Sequence, residues 1–535
     1  MKRIRLPFTK NLLVLIVLFT TIFSISFKTN YIGVQNSSKH NLNRIDFPFY
    51  SAELIEINPI IIVRDEDFLS YSFSGNGTEE SPYLIQYYSI DTAMEFGIFI
   101  SNTTKYFKIQ YCSVYAAVSA ISISNLTTEN IEIKSNICHG EEWYGIYIYS
   151  TNHVMVLNNT CSGGAVGIVS WYSNHIRIEE NDCYDSDFGI ALSHTHNSKI
   201  YNNFCHSTNN AGVHILGSNL VNASMNTILN SWWGISHISS NFGIISNNVC
   251  KKMHSGIFMQ YSYQAIVQNN HISESYFCFE LEYTTEVSIL ENTCSLSASG
   301  LDITADFNST IQNNYIYNNS YGGIYIHMSE LTNVNNNELT QNSEFGIRVY
   351  RGSPTITLNI CKENLNGIHL KDVESMSLSN NTCRNNLNGI LIEETDFSTI
   401  SYNILQNNIN YGIYIHDYST WNKIHHNWFI CNNLNGTKHG FSQAFDEGFN
   451  NRWYDSSTDF GNYWTDYQGE GEYQIDGERN NTDPYPIAYN YCCETDETNN
   501  SLIIGFFILI ILYTSVAAVS RRERKINQSK TQHTA

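Results

Sequence analysis

Residues 255–304 read SGIFMQYSYQAIVQNNHISESYFCFELEYTTEVSILENTCSLSASGLDIT. Three times in this stretch a small residue is followed by an apolar-x-apolar phrase, at Gly256, Cys278 and Gly300, in steps of 22 residues. Between these phrases lies a second one, apolar-x-apolar-x-x-Asn, ending at Asn270 and Asn292, and two residues beyond each Asn comes a further apolar position, Ile272 and Cys294. Each piece alternates with period two, as strands do, and none holds a ten-residue stretch with helical spacing.

The same unit extends in both directions. The first phrase, or a close variant, begins at Gly97, Ala120, Gly145, Gly167, Gly189, Gly212 and Gly234 before this stretch, and at Gly323, Gly346, Gly367, Gly389 and Gly412 after it. A leucine-rich repeat has a similar length but calls for Leu-x-x-Leu-x-Leu and a helical return. Here Ile, Val and other β-branched residues dominate every side. The sequence therefore predicts an all-β solenoid, a single-stranded parallel β-helix of about fifteen coils over residues 71–440. With coils stacked about 4.8 Å apart, the rod would be roughly 70 Å long. The recurrent Asn marks a corner where stacked amides form a ladder, and the recurrent Gly is expected to supply the backbone angles of a tight corner. Cys138, Cys161, Cys183 and Cys205, like Cys361 and Cys383, recur at the coil period in the inward column of Ile272 and Ile316. Buried reduced thiols, a few disulfides, or metal ligation all remain open for this column. Cys492 and Cys493 lie outside it and are candidates for intermolecular bonds.

Only 15% of the 535 residues are charged, and Asp and Glu outnumber Lys and Arg by 50 to 29. That balance argues against nucleic-acid binding. Residues 1–30, with Lys2, Arg3, Arg5 and Lys10 ahead of the apolar run Leu12 to Phe27, read as a signal peptide or signal anchor. Residues 31–70 read as a linker or cap. Near the other end, residues 491–501 form a juxtamembrane linker. Leu502 to Val519 is uncharged and long enough to span a bilayer, and Arg521, Arg522, Arg524 and Lys525 follow it in the basic tail 520–535. The expected location is the cell membrane, with the bulk of the chain extracellular or periplasmic and the tail cytoplasmic. Residues 1–30 carry +5 and residues 520–535 carry +4, which leaves −30 on the exported part. Asn-x-Ser/Thr sequons, such as Asn76, Asn102 and Asn222, suit a glycosylated surface protein.

Stacking predicts which side chains meet on the outer surface. The second residue after the phrase Gly gives the column Phe258, Glu280, Asp302, Tyr325, Arg348, His369, and the fourth gives Gln260, Glu282, Thr304, His327, Tyr350, Lys371. Glu280 and Asp302 fall one rung apart, near the separation used by retaining glycosidases, with His327 and Arg348 as further catalytic candidates. Phe258, Glu282, Tyr325 and Tyr350 are candidate ligand-binding residues, since aromatic and polar side chains alternating on a sheet suit sugar rings. A solvated face with compensating charges explains the same pattern. His194 and His196, two residues apart, are a candidate metal pair. No Ser-His-Asp phrase, phosphate loop or nucleotide fingerprint is present.

Phe73 to Ile90 (FSGNGTEESPYLIQYYSI) and Ala444 to Ile487, with GNYWTDY at 461–467 and DPYPI at 483–487, resemble the opening and the terminal cap of NosD-type right-handed β-helix proteins of archaea and bacteria. The resemblance covers about residues 70–490, with 441–490 as the cap, and implies a right-handed helix related to carbohydrate-binding and sugar-hydrolase helices. It also implies copper handling, since some members are named for periplasmic copper binding, although no copper-ligand motif carries over. In the family's cap an Asp-rich loop resembles a calcium loop, and the matching residues here are Glu470, Glu472, Asp476 and Asp483. The Asn-Thr-Asp and Gly-His-Gly phrases of polygalacturonase-like helices and the Asp-Pro-His of alginate epimerase-like helices are absent. The reading that follows is a membrane-anchored extracellular scaffold that binds glycans or surface proteins along its long face. The alternatives are a polysaccharide-cleaving enzyme using Glu280 and Asp302, or a copper-handling accessory protein.

Overall fold

The computed structural model describes residues 54–491. Both apolar end segments, and Cys492 and Cys493, lie outside them. Among the described residues no helix is long and apolar enough to cross a membrane, and the helical content is a single short 3₁₀ turn, Asp65–Ser70.

The chain winds as a right-handed parallel β-solenoid of about 18 turns, so at about 4.8 Å per turn the rod is roughly 85 Å long. Each turn has three faces. The first carries six-residue strands such as Ser255–Gln260, Phe277–Glu282 and Ser299–Thr304. The second carries short strands such as Ile266–Gln268 and Ser288–Leu290, and the third His271–Ser273 and Thr293–Ser295. The third face is one sheet of 19 strands; the first and second are joined into a 31-stranded sheet because Gly322–Asn335 and Phe345–Thr357 run through the corner between them. Inward side chains, chiefly Ile and Val with Cys on the third face, fill the interior and are fully buried.

The turn count exceeds the fifteen expected because the terminal turns lack the repeated phrase. Ile55–Glu56 pairs with the strand holding Tyr88, and Ile60–Ile62 pairs with Ile98 to Ile100. At the other end Ala444–Asp446 stacks on Ile413 to Ile415, Tyr463–Trp464 stacks on Trp428 and Phe429, and Ile487–Ala488 closes the stack. These turns continue the backbone pairing without the repeated phrase.

The Asn corner is a continuous ladder. From Asn136 to Asn462 each side-chain amide donates to the Oδ1 of the Asn one turn on, at 2.8 to 3.1 Å in the steps Asn270 to Asn292, Asn292 to Asn314, Asn381 to Asn403 and Asn408 to Asn432, the last in a second ladder. Asn292 shows the full set. Its Nδ2 donates to the Val267 carbonyl and to Asn314, and its Oδ1 accepts from the backbone and side-chain N–H of Asn270. Each buried amide is thus satisfied, which is what its burial requires. The ladder ends at Asp483, whose Oδ2 accepts from Asn462 N, Asn462 Nδ2 and Trp464 Nε1.

The repeated Gly plays a different part from the one expected. Gly256, Gly300 and Gly346 do not have positive φ; the left-handed corner positions fall to side-chain-bearing residues, in one turn Tyr261, Gln264, Asn269 and Glu274, at φ of 50 to 55°. The phrase Gly is required by close approach instead. A Cβ on Gly256 would lie 2.4 Å from Ile272 Cγ2, and one on Gly323 would lie 2.3 Å from the Gly346 carbonyl oxygen. The same proximity explains the one position where Cys replaces this Gly: Cys278 faces the third-face residue of its own turn, Cys294, and the two form a disulfide with Cα atoms 5.9 Å apart. The stacked thiols Cys138, Cys161, Cys183, Cys205, Cys361 and Cys383 are free and buried, because in-register neighbours point the same way. Cys431 is disulfide-bonded as well.

Candidate functional site

Adjacent first-face strands pair in the register the repeat implies: Phe258 with Glu280, Glu280 with Asp302, Asp302 with Tyr325, Tyr325 with Arg348, and Arg348 with His369. The second column pairs likewise, from Gln260 through Glu282, Thr304, His327 and Tyr350 to Lys371. These side chains point outward, yet the first column is largely covered: Ser236 is 0% exposed, Phe258 6% and His369 8%. Larger neighbours cover these positions, as Phe258 stacked on Trp233 does beside Ser236, and the column forms the floor of a shallow trough. One wall is the turn that precedes each first-face strand, where Trp232, His254 and Tyr276 stack with ring centroids 4.2 and 5.4 Å apart.

Burial sets the chemistry of the floor. The Glu280 carboxyl is pushed up to about 7, chiefly by burial, with Glu282 and Asp302 adding negative charge and a hydrogen bond from Ser255 Oγ pulling the other way. Asp302 is pushed up to about 6 by burial and by Glu282. Glu282 accepts from Gln260 Nε2 at 2.7 Å. Ser255 in turn lies 3.2 Å from His254 Nδ1, so hydrogen-bonding groups run unbroken from Glu280 to the wall. The sequence reading missed Ser255 and His254 because it followed only positions after the phrase Gly. The position before the Gly also points into the trough, and its column of Ser255, Phe277, Ser299 and Phe345 was legible in the repeat.

Beyond Asp302 the floor becomes aromatic and cationic. The Arg348 guanidinium lies 5.8 Å from the Tyr325 ring centre and 5.9 Å from that of Phe345. His327 stacks on Tyr350 at 5.2 Å. His369 Nε2 is 3.1 Å from Glu393, which also binds Lys371 at 3.2 Å; burial pushes His369 down to about 4, so the contact is a hydrogen bond from neutral imidazole at pH 7. Before Glu280, Phe258 stacks on Trp233 at 5.0 Å. Further along the same column Tyr144, Tyr147, Trp171 and Phe188 pack around Val166, Val169 and Ala191 on the outside of the sheet. An acidic centre is therefore flanked by aromatic surfaces on both sides.

The metal candidates do not assemble. Among the described residues no three His, Cys, Asp or Glu side chains converge as a metal-binding group. His194 stacks on Tyr172 at 5.0 Å and His196 Nδ1 accepts from Asn219 N at 3.0 Å, so the two occupy separate corner positions. Glu470 and Glu472 are exposed, Asp476 accepts from Ser442 N, and Asp483 ends the Asn ladder beneath Trp464. The cap is held by packing: Trp464 is sandwiched between Phe429 at 4.0 Å and Tyr473 at 3.8 Å.

A right-handed β-helix with a long covered trough on one face is the class that these features define. The model of the family described as "Periplasmic copper-binding protein (NosD)" matches residues 74–248 and 321–469, and that of the right-handed β-helix region matches 211–361. The chain belongs to the NosD family. Among the described residues the free thiols are buried and no three His, Cys, Asp or Glu side chains converge. No curated protein sequence matches the chain. Among solved structures, the mannuronan C-5 epimerase AlgE4 A-module of Azotobacter vinelandii is similar at 13% identity and a TM-score of 0.38, covering 58% of this chain and 92% of that one. The DFA-IIIase of Arthrobacter chlorophenolicus A6 without its lid is similar at 11% and 0.35, covering 48% and 82%. A mutant tailspike protein of E. coli bacteriophage HK620, in complex with a pentasaccharide, is similar at 10% and 0.37, covering 62% and 68%.

Proposed function

We propose that the trough binds a polysaccharide chain lengthwise and that Glu280 and Asp302 act on it as an acid and base pair. The observation that carries this reading is the pair itself: two carboxyls on adjacent rungs, buried so that one sits at about 7 and the other at about 6. Two carboxyls held at different values by their surroundings can divide the roles of proton donor and of base or nucleophile. Glu280, the higher, donates a proton to the leaving oxygen, and Asp302 is the ionised partner. The rung spacing of about 4.8 Å suits a direct displacement followed by hydrolysis more than a water held between the two. Aromatic surfaces on both sides supply stacking area for sugar rings, and a repeating floor suits a repeating ligand. The site works outside the cell, tethered through Leu502 to Val519.

The test is to incubate the protein with a panel of polysaccharides and follow both binding and chain length. Shortened products that Glu280→Gln and Asp302→Asn each reduce at least a hundredfold support the reading. Binding without products in the native chain reduces the function to that of a glycan-presenting scaffold, and no binding to any glycan overturns it.

A further inference from the structure

The floor of the trough holds a cation whose counter-charge is missing. Among the described residues Arg177 lies 3.0 Å from Glu179, Arg64 is 3.1 Å from Asp67, and Arg351, on the same strand as Arg348, is bound to Asp372, while Arg384, Arg452 and Arg479, which have no carboxylate partner, are exposed to solvent. Arg348 has no such partner. Its Nε is buried with no hydrogen-bond acceptor, and its one polar contact is Nη1 to the Tyr321 hydroxyl at 3.5 Å. The neighbouring acid on the next rungs, Glu393, is already taken by His369 and Lys371. Glu344, on the wall, feels the Arg348 charge without reaching contact, and Asp302 lies two rungs away. The rings of Tyr325 and Phe345 flank the guanidinium, an apolar setting in which an unmet N–H and an uncompensated charge are costly.

We propose that the trough takes a polysaccharide whose sugar units carry carboxylate groups, and that Arg348 receives one of them two rungs from Asp302. This deepens the glycan reading above and rests on it. A sugar hydroxyl would satisfy an N–H but leave the charge unbalanced; a carboxylate does both and matches the planar fork of a guanidinium. Sulfate esters share the charge but are tetrahedral, which makes them the informative competitor.

The experiment measures calorimetric affinity of the full chain, in detergent, for uronic-acid oligosaccharides, for the same oligosaccharides after carboxyl reduction, and for sulfated neutral oligosaccharides of equal length. The expected result is at least a tenfold preference for a carboxylated ligand over its reduced form, lost in Arg348→Gln and partly kept in Arg348→Lys. Equal affinity of the native chain for carboxylated and reduced ligands overturns the inference while leaving the glycan reading intact. A preference for sulfated ligands, or a carboxylate preference that survives in Arg348→Gln, overturns it too. Failure to bind any of them overturns both.

Discussion

Glu280→Gln should make the protein more stable at alkaline pH and leave it unchanged at acid pH. In the unfolded chain the carboxyl titrates at its ordinary 4.5, and in the folded protein at about 7. Between those values the folded state holds the extra proton, so stability falls as pH rises through this window and levels off above it. Each unit is worth about 1.4 kcal/mol, which puts the burden of an ionised, buried Glu280 at about 3 kcal/mol at pH 8. Glutamine has the same shape, keeps an oxygen to accept from Ser255, and carries no charge, so it removes that burden. At pH 4 native and variant side chains are both neutral and the difference disappears. Because a solenoid unfolds in coupled segments rather than all at once, the sensitive readout is native-state hydrogen exchange of the strands Ser255–Gln260, Phe277–Glu282 and Ser299–Thr304, supported by thermal midpoints at pH 4 and pH 8. A gain at pH 8 that vanishes at pH 4 supports the reasoning; an equal effect at both pH values, or a loss at pH 8, refutes it and with it the claim that burial governs this carboxyl.

The remaining predictions concern the supports of the site and the rod. Ser255→Ala removes the hydroxyl that favours the ionised form and should raise the Glu280 midpoint by about one to two units, since a hydrogen bond to a charged group is worth about 1.5 to 3 kcal/mol; a carbon-13 titration of labelled glutamate carboxyls reads it directly. Asn292→Ala breaks donations in both directions along the ladder and should cost about 3 to 5 kcal/mol, seen as a lower thermal midpoint and new protease cleavage at the surrounding coils. Gly323→Ala would drive a Cβ to 2.3 Å from the Gly346 carbonyl oxygen and 2.7 Å from Leu339, so it should cost about 1 to 3 kcal/mol in thermal unfolding, whereas alanine at the exposed Gly471, which has nothing within 4 Å, should cost less through its positive φ alone.

The stacking of Glu280 on Asp302 and of Tyr325 under Arg348 was legible because in a solenoid one number, the repeat length, sets every register. Residues 22 or 23 apart in sequence become neighbours about 4.8 Å apart in space. What the repeat could not carry was height. Ser236 and Phe258 occupy outward positions, and only their neighbours in space, among them the stack of Trp232, His254 and Tyr276, reveal that they are covered and that the carboxyls beside them titrate high. The end turns were missed for a related reason: Ile55–Glu56 and Ile487–Ala488 join through backbone pairing, which leaves little mark on side-chain identity. The Gly of the phrase was recognised but misassigned, since sequence does not distinguish a residue chosen for its backbone angles from one chosen for its lack of a Cβ. Cys278 is the same ambiguity seen from the other side. Where the Gly position is replaced by the one residue that can turn close approach into a bond, a disulfide stands in its place.

The ladder from Asn136 has a direction. Every amide hands its N–H to the turn that follows, and each receives one from the turn before. A stack of this kind is open at both ends in principle, and a second molecule could continue it as one more turn, and a third after that, into a fibre. Asp483 ends the sequence of hand-offs: its Oδ2 takes the N–H groups of Asn462 and Trp464, and a carboxyl has no amide N–H to pass on. A single change from amide to acid at the last rung therefore ends the chain of hand-offs, in the same corner that holds the rod together.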